Sequence, residues 1–385
     1  MKRPTRNILL LYDTRSNIAR QVLRGIYSYA SQKTAWHWRA SDPEPNFIKY
    51  LGAWRPDGII ATIGDEKIAS AIRRLNIPAV DTANCLKDPP AAQVGVDDQR
   101  LGAAAAEYFL ERGFRRFAYL GLSNGWFSEG RQQGYVARLR RDGYDCRCIL
   151  TADQTKTAEQ SPIWAGGNEE VVRELKQLPR PTGLFVSHDQ LGLAAALQCH
   201  DARIAVPESI SILAVDNDET LCTLSQPPLS SIVQPAERIG VEATRTLDHI
   251  LSGQPRPEPQ FFPPGEVVTR RSSDIRAIRD QAVVEAIAFI NKNVPRGLSV
   301  ADVVDELLIS RRRLEQKFIK ALGFGPHEQI RRSQVLQARR LLATTELPMP
   351  VVATNCGIPN AQRLSLIFRS YTGCTPLEYR RLFSI

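Results

Sequence analysis

Between residues 7 and 215 the sequence alternates short apolar runs with helix-period stretches, and this alternation constrains the fold more than any other feature. Predicted strands occupy residues 7–12, 58–62, 79–81, 117–120, 183–186 and 211–215, and predicted helices occupy residues 18–30, 66–75, 101–111 and 191–200. Strands that alternate with helices of about 10–15 residues indicate βαβ units, which form parallel sheets covered by helices on both faces. In such sheets, ligands bind beyond the carboxyl ends of the strands.

The alternation stops near residue 273. Proline-rich stretches at residues 255–259 and 263–265 interrupt it, and every later periodic segment is helical. Domain junctions fall in polar connecting segments. We therefore predict an α/β domain over residues 1–272, a linker over residues 273–282 and an all-α domain over residues 283–385.

The positive charge is concentrated in the last third of the chain. The net charge is +9, and residues 274–385 hold 17 Lys and Arg against 10 Asp and Glu. This excess suggests a polyanion as partner of the all-α domain, although a solvated basic surface explains the charge equally well.

Composition excludes several other classes of protein. No run of about 18 apolar residues and no cleavable leader occur, so we expect a soluble cytoplasmic protein with no membrane partner. The seven cysteines are scattered without a CxxC pair, which predicts reduced thiols and neither a disulfide framework nor a zinc site. No P-loop, dinucleotide fingerprint or HExxH motif is present, so no cofactor and no catalytic metal are expected.

The first half of the all-α domain predicts a helix-turn-helix unit. Ser299 is a suitable N-cap for a helix with apolar residues at spacings of 3, 4 and 7, and residues 308–310 make a tight turn. Ser310 can cap a second helix that buries Leu314 and Phe318 and turns its arginines outward. A short helix, a three-residue turn and a basic helix is the plan of this DNA-binding motif.

The second half predicts another such unit. Pro350 fits the first turn of a helix that ends before Gly357, and Asn360 can cap the next helix. A long basic helix over residues 326–344 can hold the two units apart. Recognition helices about 34 Å apart would enter successive major grooves. Charge and repeat alone leave open a helical interaction domain with solvated arginines.

Specific segments decide between these interpretations. CGIP at residues 356–359, IFR at 367–369 and GCTPLEYR at 373–380 resemble the signature of the arabinose-regulator (AraC) family. Residues 310–318 and GFGP at 323–326 resemble the first unit of that family. The resemblance covers about residues 280–383 and implies binding to double-stranded operator DNA.

The resemblance also implies DNA contacts on both recognition helices. Base-facing candidates are Arg312, Glu315 and Gln316 in the first groove and Ala361, Gln362, Ser365 and Leu366 in the second. Candidates for phosphate contacts are Lys320, Arg331, Arg332 and Arg369, and Arg311 and Arg363 complete the predicted DNA-binding set. The chain departs from the family at Arg363 and Leu364, where aromatic residues are usual.

Polar residues follow several predicted strands, where a cleft between two lobes would collect them. They are Asp13, Thr14, Arg15, Asp97, Asp98, Arg131, His188, Asp189, Asp216 and Asn217. Carboxylates and arginine are the groups expected to bind polyol hydroxyls, and Trp126 or Phe127 is available to stack on an apolar sugar face. Taken singly, each polar residue also fits a helix cap or a solvated loop.

Four segments from this part of the chain match a second family. DDQRLG at residues 97–102, SHDQ at 187–190, VDND at 215–218 and PPLSSIVQ at 227–234 look like the effector domain of lactose-repressor-type (LacI) regulators. The resemblance spans residues 6–270 and implies a two-lobed, periplasmic-binding-protein-like fold with hinge crossings near residues 100–105, 230–236 and 260–270. It implies ligand contacts by Asp97, Arg131, His188 and Asp216, with Gln234 at the hinge.

The order of the two domains resembles that of the regulators of xylose operons. We therefore predict a sequence-specific transcription regulator of a sugar catabolic operon, controlled by a monosaccharide, xylose or a related sugar. The predicted ligand-binding residues are Asp13, Arg15, Asp97, Trp126, Arg131, His188, Asp189, Asp216 and Gln234. Expected partners are operator DNA, a second copy in a homodimer and RNA polymerase, with the protein cytoplasmic and nucleoid-associated.

Two alternatives belong to other functional classes. Residues 121–125 satisfy G-x-S-x-G around Ser123, and Asp216 and His249 follow in the order of an α/β-hydrolase triad. That fold needs a helix directly after the serine, whereas the sequence predicts one near Ser128, which disfavours the enzyme. A free periplasmic sugar-binding protein is disfavoured by the missing leader and the DNA-type tail.

Overall fold

A computed structural model describes residues 5–33, 36–152, 169–274, 280–372 and 374–383. The chain forms two compact units, one of Met1–Tyr108 with Arg115–Ile275 and one of Phe109–Phe114 with Arg276–Ile385. The larger unit contains two α/β lobes and the smaller one is helical, so the predicted fold class is confirmed. Residues 275–279 of the predicted linker and Gly373 of the GCTPLEYR segment lie outside the described residues.

The first lobe is built on a six-stranded parallel sheet. Its strands are β1 (Arg6–Leu11), β2 (Trp36–Ser41), β3 (Gly58–Ala61), β4 (Ala79–Asp81), β5 (Ala92–Val96) and β11 (Gln260–Phe262), in the order β11-β5-β4-β3-β1-β2. Helices α1 (Asn17–Lys33) and α8 (Ala236–Leu251) pack together, with α8 also against β3, β4 and β5, while α2 (Glu66–Leu75) contributes to a separate apolar cluster with β1 and β3. Strands β3, β4 and β5 are buried along their whole length, as expected for a sheet covered on both faces.

The second lobe repeats this plan. Its strands are β6 (Phe117–Leu122), β7 (Cys146–Thr151), β8 (Thr182–Val186), β9 (Ile210–Asp216), β10 (Ser230–Val233) and β12 (Val267–Val268), in the order β12-β10-β9-β8-β6-β7. All neighbours are parallel except β12, which is antiparallel to β10. Its helices are α3 (Asp98–Glu111), α4 (Trp126–Arg141), α5 (Glu169–Gln177), α6 (Asp189–Asp201) and α7 (Glu219–Leu224).

The chain crosses between the two sheets three times. The crossings lie between β5 and α3, between β10 and α8, and between β11 and β12. The last two fall within the predicted ranges 230–236 and 260–270. The first comes earlier than the predicted residues 100–105, because α3 already begins at Asp98 and buries Leu101 and Ala105.

Sequence periodicity missed several elements. The edge strands β2 and β7 bury few of their side chains and therefore lack an apolar run. The strands β11 and β12 have only three and two residues, too few to show a period. Helix α8 is amphipathic and buries Ile239, Ala243 and Leu247, but it was not predicted.

The smaller unit is a chain of helices around two apolar clusters. Its helices are α9 (Gln281–Asn293), α10 (Val300–Leu307), α11 (Arg311–Leu322), α12 (Pro326–Thr344), α13 (Met349–Asn355), α14 (Ala361–Thr372) and α15 (Pro376–Phe383). Leu314 and Phe318 belong to the first cluster with residues of α9 and α10, as predicted, and Leu364 and Phe368 belong to the second. Among the described residues, no helix is long and apolar enough to cross a membrane.

Candidate effector cleft and DNA-binding helices

A buried ion pair joins the first turn of α3 to α4 beside the first crossing. Arg131 Nε lies 2.8 Å from Asp98 Oδ1, and the two side chains are only 4% and 8% exposed. Arg131 Nη1 also donates to the carbonyl of Ser187, and its guanidinium carbon lies 4.9 Å from the centre of the Phe127 ring. Burial raises the pKa of Asp98 despite the neighbouring Arg131. Arg131 is thus held in one orientation by groups from three segments.

Two glycines let α3 and α4 approach closely enough to form this pair. A Cβ on Gly102 would lie 2.0 Å from the Arg131 carbonyl oxygen, and a Cβ on Gly134 would lie 1.9 Å from the Gln99 carbonyl oxygen. Any larger residue at either position would push the two helices apart. The spacing of Asp98 and Arg131 therefore depends on glycine at both contact points.

Asn84, from the loop after β4, links the first lobe to this ion pair. Its side-chain Nδ2 donates to Val96 O at 3.0 Å and to Asp98 Oδ2 at 3.3 Å. Its backbone carbonyl accepts from the Phe127 N–H at 2.9 Å. Sequence reasoning missed Asn84, because a single asparagine after a strand resembles any other turn residue. Of the two adjacent carboxylates Asp97 and Asp98, the structure pairs Asp98 with Arg131.

Asp216 and Gln234 meet at the carboxyl ends of β9 and β10. Gln234 Nε2 donates to Asp216 Oδ1 at 2.5 Å. Burial raises the pKa of Asp216, while the positive charge of Arg131 and the bond from Gln234 act in the opposite direction. Gln234 thus bonds to Asp216, and Arg131 is near enough for its charge to act on the same carboxylate.

Asp189 and His188 lie at the start of α6. Asp189 is buried, and its carboxylate accepts from Ser231 Oγ at 2.6 Å, the Asp218 N–H at 2.7 Å and Cys222 Sγ at 3.3 Å. Burial, and next the charge of Asp216, raise the pKa of Asp189. His188 places Nδ1 2.9 Å from Ser187 Oγ and its ring centre 6.3 Å from that of Phe127.

The remaining predicted ligand residues have local partners. Asp13 and Arg15 form an ion pair at 2.8 Å after β1, and the Arg15 side chain is 84% exposed. Asp97 accepts from the Arg100 N–H at 3.0 Å, which caps the start of α3. The Trp126 ring lies 6.1 Å from the Phe261 ring. These contacts do not join any of the four residues to Arg131.

The first helix-turn-helix unit has the predicted caps. Ser299 and Asp302 form a reciprocal capping box at the start of α10, and Ser310 Oγ accepts from the Arg313 N–H at the start of α11. On α11, Arg311 pairs with Glu315 at 3.0 Å. Arg312, Gln316 and Lys320 are exposed on the same helix.

The second unit has the same arrangement on α13 and α14. Asn360 Oδ1 accepts from the Arg363 N–H at 2.8 Å, as predicted for an N-cap. Gln362, Arg363 and Arg369 are exposed, whereas Ala361 and Ser365 are half-buried. At position 364, where the family usually has an aromatic residue, Leu364 is fully buried in the second cluster. This side chain therefore contributes to packing.

The arginines of α12 have different surroundings. Arg332 pairs with Glu328 at 2.9 Å, and its guanidinium carbon lies 4.2 Å from the centre of the Phe324 ring. Arg331 is half-buried on the same helix. Of these two candidates for phosphate contacts, Arg332 is thus already engaged within the unit.

The residues of the hydrolase alternative are separated in the fold. Ser123 follows β6 in the second lobe, and α4 begins only at Trp126. His249 is exposed near the end of α8, which packs in the first lobe. The carboxylate of Asp216 is bonded to Gln234, so this geometry provides no triad.

Comparisons with known proteins agree with both units. Residues 106–273 match the periplasmic binding protein-like domain family, and residues 303–382 match a helix-turn-helix domain family. The chain is 29% identical over 386 residues to the xylose operon regulatory protein of Escherichia coli (strain K12), covering 97% of this chain and 96% of that protein. It is 27% identical to the protein of the same name from Haemophilus influenzae, covering 97% of each. The solved structure of the xylose-binding transcription activator xylR matches 100% of both chains at 27% identity, with a TM-score of 0.61.

The fold, the two helix-turn-helix units and these matches define a DNA-binding transcription regulator and not an enzyme. Along its whole length the chain is similar to the xylose operon regulatory proteins, with a periplasmic-binding-protein-like domain followed by an AraC-type DNA-binding domain. The resemblances inferred from the sequence motifs are thereby confirmed.

Proposed function

We propose that this regulator binds a monosaccharide, xylose or a related sugar, between the two lobes of its α/β unit, and that the sugar changes its affinity for an operator. The observation that carries the proposal is the convergence of Arg131, Asp216 and Gln234 where the chain crosses between the sheets. Ligands of such folds bind at the carboxyl ends of the strands. The relatives that match the whole chain are described as regulating xylose operons or as binding xylose.

Each proposed contact follows from the chemistry of its residue. Arg131 donates hydrogen bonds to sugar hydroxyl oxygens, and Asp216 accepts from hydroxyl groups once Gln234 releases it. His188 offers a ring nitrogen close to Phe127, and we assign the Phe127 ring to an apolar sugar surface. We assign Asp189 a supporting role, because its carboxylate already accepts bonds from Ser231, Asp218 and Cys222 and thereby holds the strand ends around Asp216.

We assign the other side of the proposed site to Asp13, Arg15 and Asp97, which lie at strand ends of the first lobe. Trp126 begins α4 of the second lobe, and its N–H donates to the Cys85 carbonyl in the loop after β4. Closure of the lobes on a sugar would bring these residues into contact with it. A sugar shifts the equilibrium between open and closed forms only through its different affinity for the two.

The proposed DNA contacts are those of the two recognition helices. We assign base contacts to Arg312, Glu315 and Gln316 on α11 and to Ala361, Gln362 and Ser365 on α14. Arg311, Lys320, Arg331, Arg363 and Arg369 supply positive charge for the phosphates. We further propose that the protein acts in the cytoplasm on nucleoid DNA, as a homodimer that contacts RNA polymerase.

A thermal-shift screen of pentoses and hexoses tests the sugar site. A sugar at about 100 times its Kd should add about 2.7 kcal/mol to the stability of the folded chain. Asp216→Asn keeps the shape of the side chain and should abolish the shift. This variant is preferable to Arg131→Ala, which leaves a buried carboxylate unpaired at a cost of about 3–5 kcal/mol.

Asp201→Asn is the matched control, because Asp201 is 82% exposed at the end of α6. It should respond to the sugar like the wild type. If no sugar stabilises the wild-type chain, or if Asp216→Asn responds as strongly as Asp201→Asn, the proposed sugar site is wrong.

A further inference from the structure

The loop that presents Asp216 has an unusual backbone conformation. Asp216 has φ of 112° and Asn217 has φ of 50°, so two consecutive non-glycine residues lie in the left-handed region. Such residues keep this conformation only when their surroundings hold them in place. The groups that hold Asn217 therefore stabilise this loop conformation, while Gln234 separately holds the Asp216 carboxylate.

Asn217 is held by one contact from β10 and one from the segment that follows β12. Its N–H donates to Ser231 Oγ at 2.9 Å on β10. Its side-chain Oδ1 accepts from Arg270 Nη2 at 2.9 Å, and Arg270 Nη1 donates to Leu229 O at 3.0 Å. One guanidinium thus joins the loop at the end of β9 to the segment before β10.

Arg270 belongs to the last stretch of the larger unit, which leads along the chain toward α9. Its N–H donates to Ser230 Oγ at 2.7 Å, and Ser230 Oγ donates back to its carbonyl at 2.8 Å. Two residues later, Ser272 Oγ donates to Ile212 O at 2.7 Å, and Ser272 is fully buried. The stretch 270–272 is therefore fixed to the strands that end at the cleft.

We propose that Arg270 is a positioning residue that couples occupation of the cleft at Asp216 to residues 270–272, near the carboxyl-terminal end of the larger unit. The inference rests on the proposed sugar function. A sugar that replaces Gln234 on Asp216 changes the conformation of the 216–217 loop, and the Asn217–Arg270 bond passes that change to residues 270–272. Arg270 acts through Asn217 and does not contact the sugar.

The test measures sugar affinity and operator affinity separately in the full-length chain. The probes are D-xylose and a duplex selected by the wild type from a random pool. Arg270→Gln should bind D-xylose with a Kd within about threefold of the wild type, because the Asp216–Gln234 bond and the β9–β10 pairing remain. The factor by which xylose changes operator affinity should be at least about fivefold smaller in Arg270→Gln than in the wild type. Fivefold is the lower end of the usual coupling between two sites.

Two further variants separate coupling from a general structural effect. Asn217→Ala should show the same loss, and the Arg270→Gln/Asn217→Ala double variant should lose no more than either single one, because both remove one interaction. Arg271→Gln is the matched control, since Arg271 is the exposed neighbour of Arg270, and it should respond like the wild type.

The possible failures are distinguishable. An Arg270→Gln variant that responds fully to xylose overturns the inference and leaves the proposed function intact. A parallel loss of xylose affinity and response also overturns it, because Arg270 would then only build the pocket. A wild type whose operator affinity ignores xylose and the other screened sugars overturns the proposed function, and the inference with it.

Discussion

At the scale of single residues, Asp81 shows a charge placed where water cannot reach it. It ends β4, is fully buried, and accepts from the N–H groups of Ile63 at 3.0 Å and Ala83 at 3.1 Å. Burial raises the pKa of Asp81 to about 6, although both backbone bonds favour the charged form. The desolvation of the carboxylate thus outweighs its hydrogen bonds.

This raised pKa predicts a pH dependence of stability. The folded chain binds the Asp81 proton more tightly than the unfolded chain, whose pKa is near the ordinary value of 3.8. The Asp81 contribution to stability is therefore largest below about pH 4 and is lost as the pH rises through about 6. Asp81→Asn should lack this contribution, so its change in unfolding free energy between pH 4 and 7.5 should differ from the wild type's by about 3 kcal/mol at most.

Tryptophan fluorescence in urea measures this difference in the larger unit. All five tryptophans lie at or before residue 164, so the smaller unit contributes no signal. Asp201→Asn is the exposed control and should follow the wild type. Equal pH dependence in wild type and Asp81→Asn would contradict the assignment of the buried charge.

Some residues of the cleft could be predicted from the sequence and others could not. The positions after predicted strands pointed to Arg131 and Asp216, because parallel strands end at a common edge, and the resemblance to lactose-repressor-type regulators added Gln234, which donates to Asp216 in the structure. The pairing of Asp98 with Arg131 depends on the contact between α3 and α4, and the role of Asn84 depends on its bond to Asp98. Neither follows from local spacing.

At the scale of elements, the two helix-turn-helix units solve the same turn in different ways. Leu308 follows α10 with φ of 51° and is 91% exposed. Gly357 follows α13 with φ of 63°, and a Cβ on it would lie 2.2 Å from Val294 O. The second turn thus requires glycine, whereas the first tolerates a leucine at a cost in backbone strain.

Opposite substitutions at these turns should therefore have opposite effects. Leu308→Gly relieves the left-handed strain and loses little packing, so α10 and α11 should be stabilised by about 0.5–1 kcal/mol. Gly357→Ala forces a backbone clash and should destabilise the second unit by about 1–3 kcal/mol. Amide hydrogen exchange of the full chain, compared over residues 300–322 and 349–372, measures both.

Each substitution serves as the control for the other, because each should alter exchange mainly in its own unit. Faster exchange in α10 and α11 of Leu308→Gly would contradict the strain argument. Unchanged exchange in α13 and α14 of Gly357→Ala would show that the clash is relieved without cost.

Elements with strong local signals were predicted well. The helix-turn-helix caps Ser299, Ser310 and Asn360 were located because capping depends on a few neighbouring residues. Edge strands such as β2 and β7 were missed, because their exposed faces carry no apolar run. Their pairing with β1 and β6 is decided by contacts distant in sequence.

At the scale of the whole molecule, most of the net positive charge lies in the last third of the sequence. Residues 274–385 carry 17 basic against 10 acidic residues, while the full chain has 50 against 41. Charge of this kind contributes affinity for phosphate but little sequence preference. Under the proposed function, specific recognition therefore depends on the side chains of α11 and α14 that we assign to base edges.

Arg312 and Lys320 on α11 allow these two contributions to be separated. Arg312→Ala should weaken binding to a selected operator by about 1–3 kcal/mol and relax preference at one base pair, because arginine makes paired bonds to guanine. Lys320→Ala should weaken binding to all duplexes similarly and lower the slope of log affinity against log salt by about 1. Fluorescence anisotropy with the operator, single-base variants and a scrambled duplex at several salt concentrations measures both.

Arg173→Ala is the control, because Arg173 is an exposed charge on α5, and it should change neither the base preference nor the salt dependence. If Arg312→Ala reduces affinity for operator and scrambled duplex equally, α11 contributes charge alone and the base contact assigned to Arg312 is wrong.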